Sequence, residues 1–386
     1  MQGNFTFSTV GHIVCELGGS KRVGELVLQH FSNTTKALIV TDAGFMKTGL
    51  VEPVCASLRE AGLTVTLWSE VVADPPEAVV LQAAADARSN AIDLVIGLGG
   101  GSSMDVAKLI AVLIAGEQPL HEMYGIGNVR GARLPLVQIP TTAGTGSEVT
   151  PISIVTTGAT TKMGVVSPRL YADLVILDAT LTVGLPSVIT AATGVDAMVH
   201  AIEAYTSRIK KNPLSDMLAL QALRLLTANL ATVCTDGTNL TARQDMLLGA
   251  MLAGQAFSNA PVAAVHALAY PIGGIFHVPH GMSNALVLPH VLRFNASHAE
   301  GHYAELASIL APDASGSNAA RADAMIGAMT TLCKQVGIPT SLREFGIGED
   351  HLDRLADDAM LQTRLLGNNP REVTRADALA IYAAAL

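Results

Sequence analysis

The chain has 386 residues, 49% of them hydrophobic and 15% charged, with a formal net charge of −9. That length accommodates two domains, each with its own core, and so apolar a composition implies surface buried between subunits. The acidic balance argues against nucleic acid and anionic membranes as partners. No basic-plus-apolar leader opens the chain, no unbroken apolar run approaches a membrane span, and Cys15, Cys55, Cys234 and Cys333 are scattered without a CxxC. A cytoplasmic protein with free thiols is expected.

Short β-branched runs occur at 37–40, 63–68, 94–100, 134–140 and 174–177, separated by helical stretches such as 77–89. Such alternation predicts a parallel sheet covered by helices. Beyond Pro186 the strand signal stops, and 3.6-residue periodicity predicts helices over 214–234, 242–258, 322–337 and a last one within 375–386. The expected organisation is an α/β nucleotide-binding domain over 1–185 and an all-helical domain over 186–386, with the boundary near 182–188.

Two loops in the first half carry candidate chemistry. Residues 94–108 run from a strand into a helix through Gly99, Gly100 and Gly101. Glycines let a backbone approach a phosphate, and the helix that follows offers unpaired N–H groups and a positive dipole end. The GxGxxG fingerprint is absent, and a tight turn alone explains the triplet equally well. Thr141, Thr142, Gly144 and Ser147 form a second Gly/Thr loop directly after a strand, which two independent turns explain less easily. Asp42, ending its strand, suits both ribose hydroxyls of an adenosine and repels a 2′-phosphate; turn chemistry in residues 41–44 is the competing reading. Asp105 either contacts the cofactor or charges the first helical turn.

In the second half, Asp196 and His200 are four residues apart on a predicted helix and share a face. His266, His277, His280 and His290 fall within 25 residues, against seven histidines elsewhere. Histidine is not a preferred core residue, so a cluster in an apolar, glycine-rich stretch needs a reason. Pro279 is expected to set a turn that aims the His280 imidazole instead of placing it in a helix. Asp196, His200, His266 and His280 together offer one carboxylate and three imidazoles, a set that suits Fe(II), Zn(II) or another divalent first-row ion.

Residues 194–205, 264–274 and 279–291, with 41–44, 97–108 and 141–150 upstream, resemble the signatures of the iron-containing (group III) alcohol dehydrogenase family, in the family's order and over nearly the whole chain. The resemblance implies a dehydroquinate-synthase-like fold with a cleft between its two domains. It implies hydride transfer between a primary alcohol or aldehyde and NAD(H), Fe(II) as the metal with Zn(II) possible, and a homo-oligomer, a dimer or larger. The four metal candidates match the family's ligands. The two loops match its pyrophosphate and nicotinamide-ribose sites, Lys162 matches a position near the ribose, and Asp74 and Ser102 complete the expected cofactor set.

One position departs from the pattern. Many members carry a proton-relaying histidine four residues after the third ligand, and here that residue is Tyr270. A tyrosine, with a pKa of roughly 10, is the poorer base near neutrality, so the relay is assigned to Tyr270 or to His277, the latter also reading as a structural histidine or as one that supports a metal ligand. A branch with hydroxyacid–oxoacid transhydrogenase activity also carries tyrosine there, which makes that reaction the alternative. Ile152, Phe257 and Leu365 match substrate-pocket positions; all are apolar, which favours alcohols over hydroxy acids, unless they are ordinary core. Glu203, one turn past His200, reads as a buried structural carboxylate.

Overall fold

The structure is a computed structural model describing residues 4–158 and 161–386. It contains two compact units, Thr9–Gly184 and Leu185–Leu386, the latter joined by the N-terminal residues up to Ser8. Ser8 belongs there because the Asn259 side chain bonds its backbone N–H and carbonyl, at 2.8 and 2.9 Å.

The first unit alternates β1 (His12–Cys15), α1 (Val23–His30), β2 (Lys36–Asp42), α2 (Ala43–Met46), α3 (Val51–Glu60), β3 (Thr64–Val71), α4 (Glu77–Ser89), β4 (Leu94–Gly99) and α5 (Gly101–Leu113). Then come β5 (Gly125–Ile126), β6 (Leu136–Pro140), β7 (Ile152–Thr157), β8 (Thr161–Val166) and β9 (Leu174–Leu177). Six strands form a wholly parallel sheet in the order β1-β9-β6-β4-β2-β3. Strands β4, β6 and β9 are buried at every position, as continuous apolar runs covered on both faces must be. The order places a topological switch at β2 and β4: from β2 the chain moves outward to β3, whereas from β4 it moves the other way to β6. In open α/β sheets the crevice beyond the carboxyl ends of such strands is where ligands bind. Asp42 and Gly99 are those two carboxyl ends.

Two features differ from the expected alternation. The edge strand β1 is almost wholly exposed, so it lacks an apolar signal. A second sheet, β5-β8-β7, contains an antiparallel pair running from Ile152↔Val166 to Thr157↔Thr161. Its threonine-rich strands are only half-buried and carry a weak period-2 pattern.

The second unit is helical: α6 (Ser187–Tyr205), α7 (Pro213–Thr235), α8 (Leu240–Asn259), α9 (Ala264–Phe276), α10 (His280–Leu310), α11 (Asn318–Gln335), α12 (Leu352–Met360), α13 (Thr363–Leu366) and α14 (Arg375–Ala384). Helix α6 packs on α7, α8 and α10, while α9 packs on α10 and α12. The Tyr382 hydroxyl of α14 donates to the Leu268 carbonyl of α9 at 2.6 Å. That bond ties the C-terminal helix to α9 beside Pro271, which lies inside α9. Among the described residues, α7 is the one helix long and apolar enough by composition to cross a bilayer, though it is not an unbroken apolar run. Asp216 and Arg224 lie along it, and its buried residues pack on α6 and α8.

Candidate metal centre and nucleotide loops

Three helices of the second unit bring the metal candidates together. Asp196 and His200 lie one turn apart on α6, His266 is on the first turn of α9, and His280 opens α10. The expected turn at His280 is therefore a helix start. Pro279 is its N-cap residue, at φ −54° and ψ 141°, and a proline there fixes the entry of the chain while the helix begins at once. Asp196 Oδ1 lies 4.0 Å from His200 Nε2 and 3.7 Å from Nε2 of both His266 and His280. One ligand atom each from Asp196, His200 and His266 falls within a mutual 4.8 Å. His280 Nε2 extends the set through its approach to Asp196.

The donor chemistry fits a divalent first-row ion: one hard oxygen and three borderline nitrogens, three of the four residues buried. Electrostatics agrees. Burial pushes the Asp196 carboxyl up, but His200, His280 and His266, with a hydrogen bond from Asn284, hold it below the usual carboxylate range. Burial lowers the His266 imidazole, yet the hydrogen bond and charge of Glu203, with the charge of Asp196, carry it above its ordinary value.

Asn284, one turn past His280, also faces this pocket. Its amide donates to Asp196 Oδ1 at 2.6 Å, and Nδ2 lies 3.2 Å from His266 Nε2 and 3.3 Å from His280 Nε2. Its Oδ1 is buried without a hydrogen-bond partner, an orphaned acceptor beside the ligand atoms. Neither the Asn284 contact nor the Glu203 hydrogen bond to His266 follows from the sequence pattern. The only signal is spacing, four residues after His280 and three after His200.

The α10–α6 approach depends on Gly281. A Cβ there would stand 2.4 Å from the Ala192 carbonyl oxygen and 3.3 Å from Asp196 Cβ. Backbone cannot yield as a flexible side-chain end does, so Gly281→Ala must push the start of α10 off α6. The expected loss of stability is about 1–3 kcal/mol, with metal affinity falling as His280 retreats from Asp196. Thermal unfolding and metal titration of the variant check both; a wild-type melting temperature would show that the helices are not in such close apposition.

The remaining candidates divide. Tyr270 stands one turn after His266 on α9, its ring 5.9 Å from that of His280. His277 is exposed and ends α9 in the left-handed region, at φ 56°. Phe257 stacks on His200 with ring centroids 4.3 Å apart. Leu365 is buried in α13. Ile152 begins β7, and its carbonyl accepts from Lys108 Nζ at 2.6 Å.

In the first unit the two loops meet at the switch point. Thr141 N donates to Gly99 O at 3.0 Å, and a Cβ on Gly100 would come within 3.7 Å of the Thr142 hydroxyl. A Cβ on Gly101 would strike Thr145 Cγ2 at 2.8 Å, so a larger residue there would force the Thr145 side chain of the second loop to shift. Gly100 is the N-cap residue of α5 and supplies no side-chain bond; Gly101 and Ser102 thus present backbone N–H groups at a 13-residue helix start. Asp42 caps α2, accepting from Phe45 N at 2.9 Å. Its Oδ2 lies 3.6 Å from where a Cβ on Gly99 would stand. Asp74 and Lys162 pair with each other at 2.6 Å.

Asp105 turns inward: Oδ1 accepts from Ser147 Oγ at 2.5 Å and Oδ2 from Ile154 N at 2.8 Å. Lys108 Nζ, fully buried, donates to Ser147 Oγ, Thr150 Oγ1 and the Ile152 carbonyl. Ser147 is thereby a tie between α5, the second loop and β7. Burial lowers the Lys108 ammonium, against the opposing charge and hydrogen bond of Asp105. Burial also pushes the neighbouring Glu148 carboxyl up to about 7, with its own backbone hydrogen bond and Lys108 opposing.

Residues 11–179 match the iron-containing alcohol dehydrogenase family, and residues 190–386 match the C-terminal region of the Fe-containing alcohol dehydrogenase family. Long-chain-alcohol dehydrogenase 1 of Geobacillus thermodenitrificans is 43% identical over 352 residues, 90% of this chain and 89% of that protein. Sulfoacetaldehyde reductase of Bilophila wadsworthia is 38% identical over 384 residues, 98% of each chain. Among solved structures, that of a 1,3-propanediol oxidoreductase superposes with a TM-score of 0.95 at 35% identity, covering 100% of both chains. The chain belongs to the iron-containing alcohol dehydrogenase family and is an oxidoreductase.

Proposed function

We propose that this enzyme transfers hydride between a primary alcohol or its aldehyde and NAD(H), with a divalent metal, preferably Fe(II), held by Asp196, His200, His266 and His280. The observation that carries the reading is the approach of three imidazole nitrogens to one buried carboxylate oxygen, at 3.7, 3.7 and 4.0 Å. Held by these residues, a divalent metal would supply Lewis acidity toward the alcohol oxygen, and NAD(H) would supply the hydride acceptor or donor. Asp196, His200 and His266 are buried and keep water from one side, while His280 retains 32% of its side-chain exposure and marks the open side. Anaerobic preparation with Fe(II), metal analysis and an NADH assay across alcohols test it. Air should lower activity and Fe(II) restore it; restoration by zinc alone would overturn the choice of iron but not the ligands.

The cofactor is assigned to the loops at 99–102 and 141–147, with Asp42, Asp74 and Lys162 about the ribose. The paired glycine and threonine loops at the sheet's switch point support that placement. For the proton we assign Tyr270 Oη, because its ring lies beside His280 whereas His277 is exposed. Tyr270→Phe should lower kcat about 100-fold, the low end of general acid–base contributions, with metal content unchanged. Unaltered turnover in that variant, together with a loss in His277→Ala, would move the relay to His277.

The Phe257 ring against His200 supports an apolar substrate carbon beside the metal. Relatives named for a long-chain alcohol, sulfoacetaldehyde and 1,3-propanediol show that the family accommodates varied tails. Across short primary alcohols, kcat/KM should rise by up to about 0.8 kcal/mol per added methylene. A strong preference for a 2-hydroxy acid would instead revive the transhydrogenase reading, which those relatives do not favour. The reading includes a homodimer or larger assembly; a single-chain mass in sedimentation would overturn that part.

A further inference from the structure

We infer that Glu203 is a positioning residue for the metal centre: it fixes the tautomer and ring orientation of His266 through the same carboxylate that caps α9. This rests on the reading of His266 as a ligand.

Glu203 is 4% exposed on α6. Its Oε1 accepts from Val265 N at 2.7 Å, and its Oε2 accepts both from Ala263 N at 2.9 Å and from His266 Nδ1 at 2.7 Å. Helix α9 begins at Ala264, and its N-cap residue Ala263 has no side chain able to cap. The first N–H groups of a helix need acceptors, and a buried start without them is costly. Glu203 supplies both from a neighbouring helix, and its negative charge sits at the positive end of the α9 dipole.

Each oxygen already faces a backbone N–H, so the carboxylate can only accept at His266. The imidazole proton is thereby held on Nδ1, leaving the Nε2 lone pair directed at the pocket, 3.7 Å from Asp196 Oδ1. Stacking on His200, with centroids 4.7 Å apart, fixes the ring plane from the other side. A carboxylate behind a ligating imidazole raises the nitrogen's basicity and holds its orientation. What appears as a structural carboxylate therefore ties the capping of one helix to the affinity of a metal site.

The test is metal affinity, not turnover. The full chain, stripped of metal, is titrated with Zn(II) against a chromophoric chelator as wild type, Glu203→Gln and His266→Ala. Glutamine keeps the shape but must offer an NH2 to one of the groups that now donate to Glu203. The expected result is a 10–100-fold loss of affinity in Glu203→Gln and a larger one in His266→Ala. Lower thermal stability in Glu203→Gln with wild-type Zn(II) affinity would reduce the residue to a cap and overturn the inference. Wild-type affinity in His266→Ala would instead overturn the ligand set itself, so the two failures are distinguishable. Should Glu203→Gln not fold, nitrogen-15 NMR of the metal-free wild type decides: neutral His266 is expected as the Nδ1–H tautomer, and an Nε2–H tautomer would refute the idea.

Discussion

Replacing His266 with alanine is expected to abolish metal retention and alcohol-dependent NADH formation together, with turnover falling about 1000-fold or more. Lewis-acid stabilisation of an alkoxide is worth several kcal/mol, and each 1.36 kcal/mol is roughly tenfold in rate. His266 is buried, its Nε2 lies 3.7 Å from Asp196 Oδ1, and its ring contacts those of both His200 and His280. Alanine removes the ligand nitrogen and one of the three imidazoles that hold the Asp196 carboxyl low. The helical frame should survive, because Glu203 still accepts from Ala263 and Val265 at the start of α9. Metal content by mass spectrometry, the NADH rate and a far-ultraviolet spectrum check each part. The same experiment on His280→Ala should give partial retention, since His280 is the half-exposed member. Full metal occupancy and normal turnover in His266→Ala would mean that the four residues do not form one site.

How much of this was legible beforehand depended on whether the signal was local. Residues 94–99 and 174–177 read as buried strands because an all-apolar, β-branched run has few other uses, and both are central strands of the sheet. The edge strand His12–Cys15 and the Ile152–Thr157 hairpin arm were not visible, since exposure on an edge or a small sheet imposes little pattern. Asp196 and His200 could be paired by helical spacing alone. Their meeting with His266 and His280 is tertiary, and only the density of histidines hinted at it. His280 was misread because a proline before a histidine signals a turn and a helix N-terminus equally well. Glu203, Asn284 and Gly281 were hidden more deeply: each acts across a helix–helix contact, on Val265, Asp196 and Ala192 respectively. Asp105 and Ser147 show the converse. Ser147, which read as a cofactor contact, and Asp105, which read either as a cofactor contact or as a charge on the first helical turn, bond to each other, to Lys108 and to β7, so both serve to tie the loop to its own scaffold.

Asp42 poses the sharpest test of the nucleotide assignment, because the structure supports both of its readings at once. Oδ1 caps α2 through Phe45 N, the turn chemistry that aspartate favours anyway. Oδ2 faces the Gly99 turn, beyond the carboxyl ends of β2 and β4, where an adenosine ribose belongs in a switched sheet. Asp42→Gly should lower NAD efficiency and raise NADP use, each by roughly 1–3 kcal/mol of transition-state binding, the size of a hydrogen bond to a charged group. The two changes multiply, so the NADP/NAD ratio of kcat/KM should rise by a factor of about 30 to more than 10,000. Glycine costs only a few tenths of a kcal/mol at a helix cap, so unfolding should barely shift. Asp42→Asn separates the terms further: asparagine caps as well as aspartate but does not repel a 2′-phosphate, so NADP use should rise without loss of stability. Metal content should stay at the wild-type level in both variants, since Asp42 lies in the Thr9–Gly184 unit and all four proposed ligands lie in the other. Steady-state kinetics with both cofactors in the three proteins decides it: an unchanged ratio would leave Asp42 a capping residue alone and return the ribose to Asp74 and Lys162.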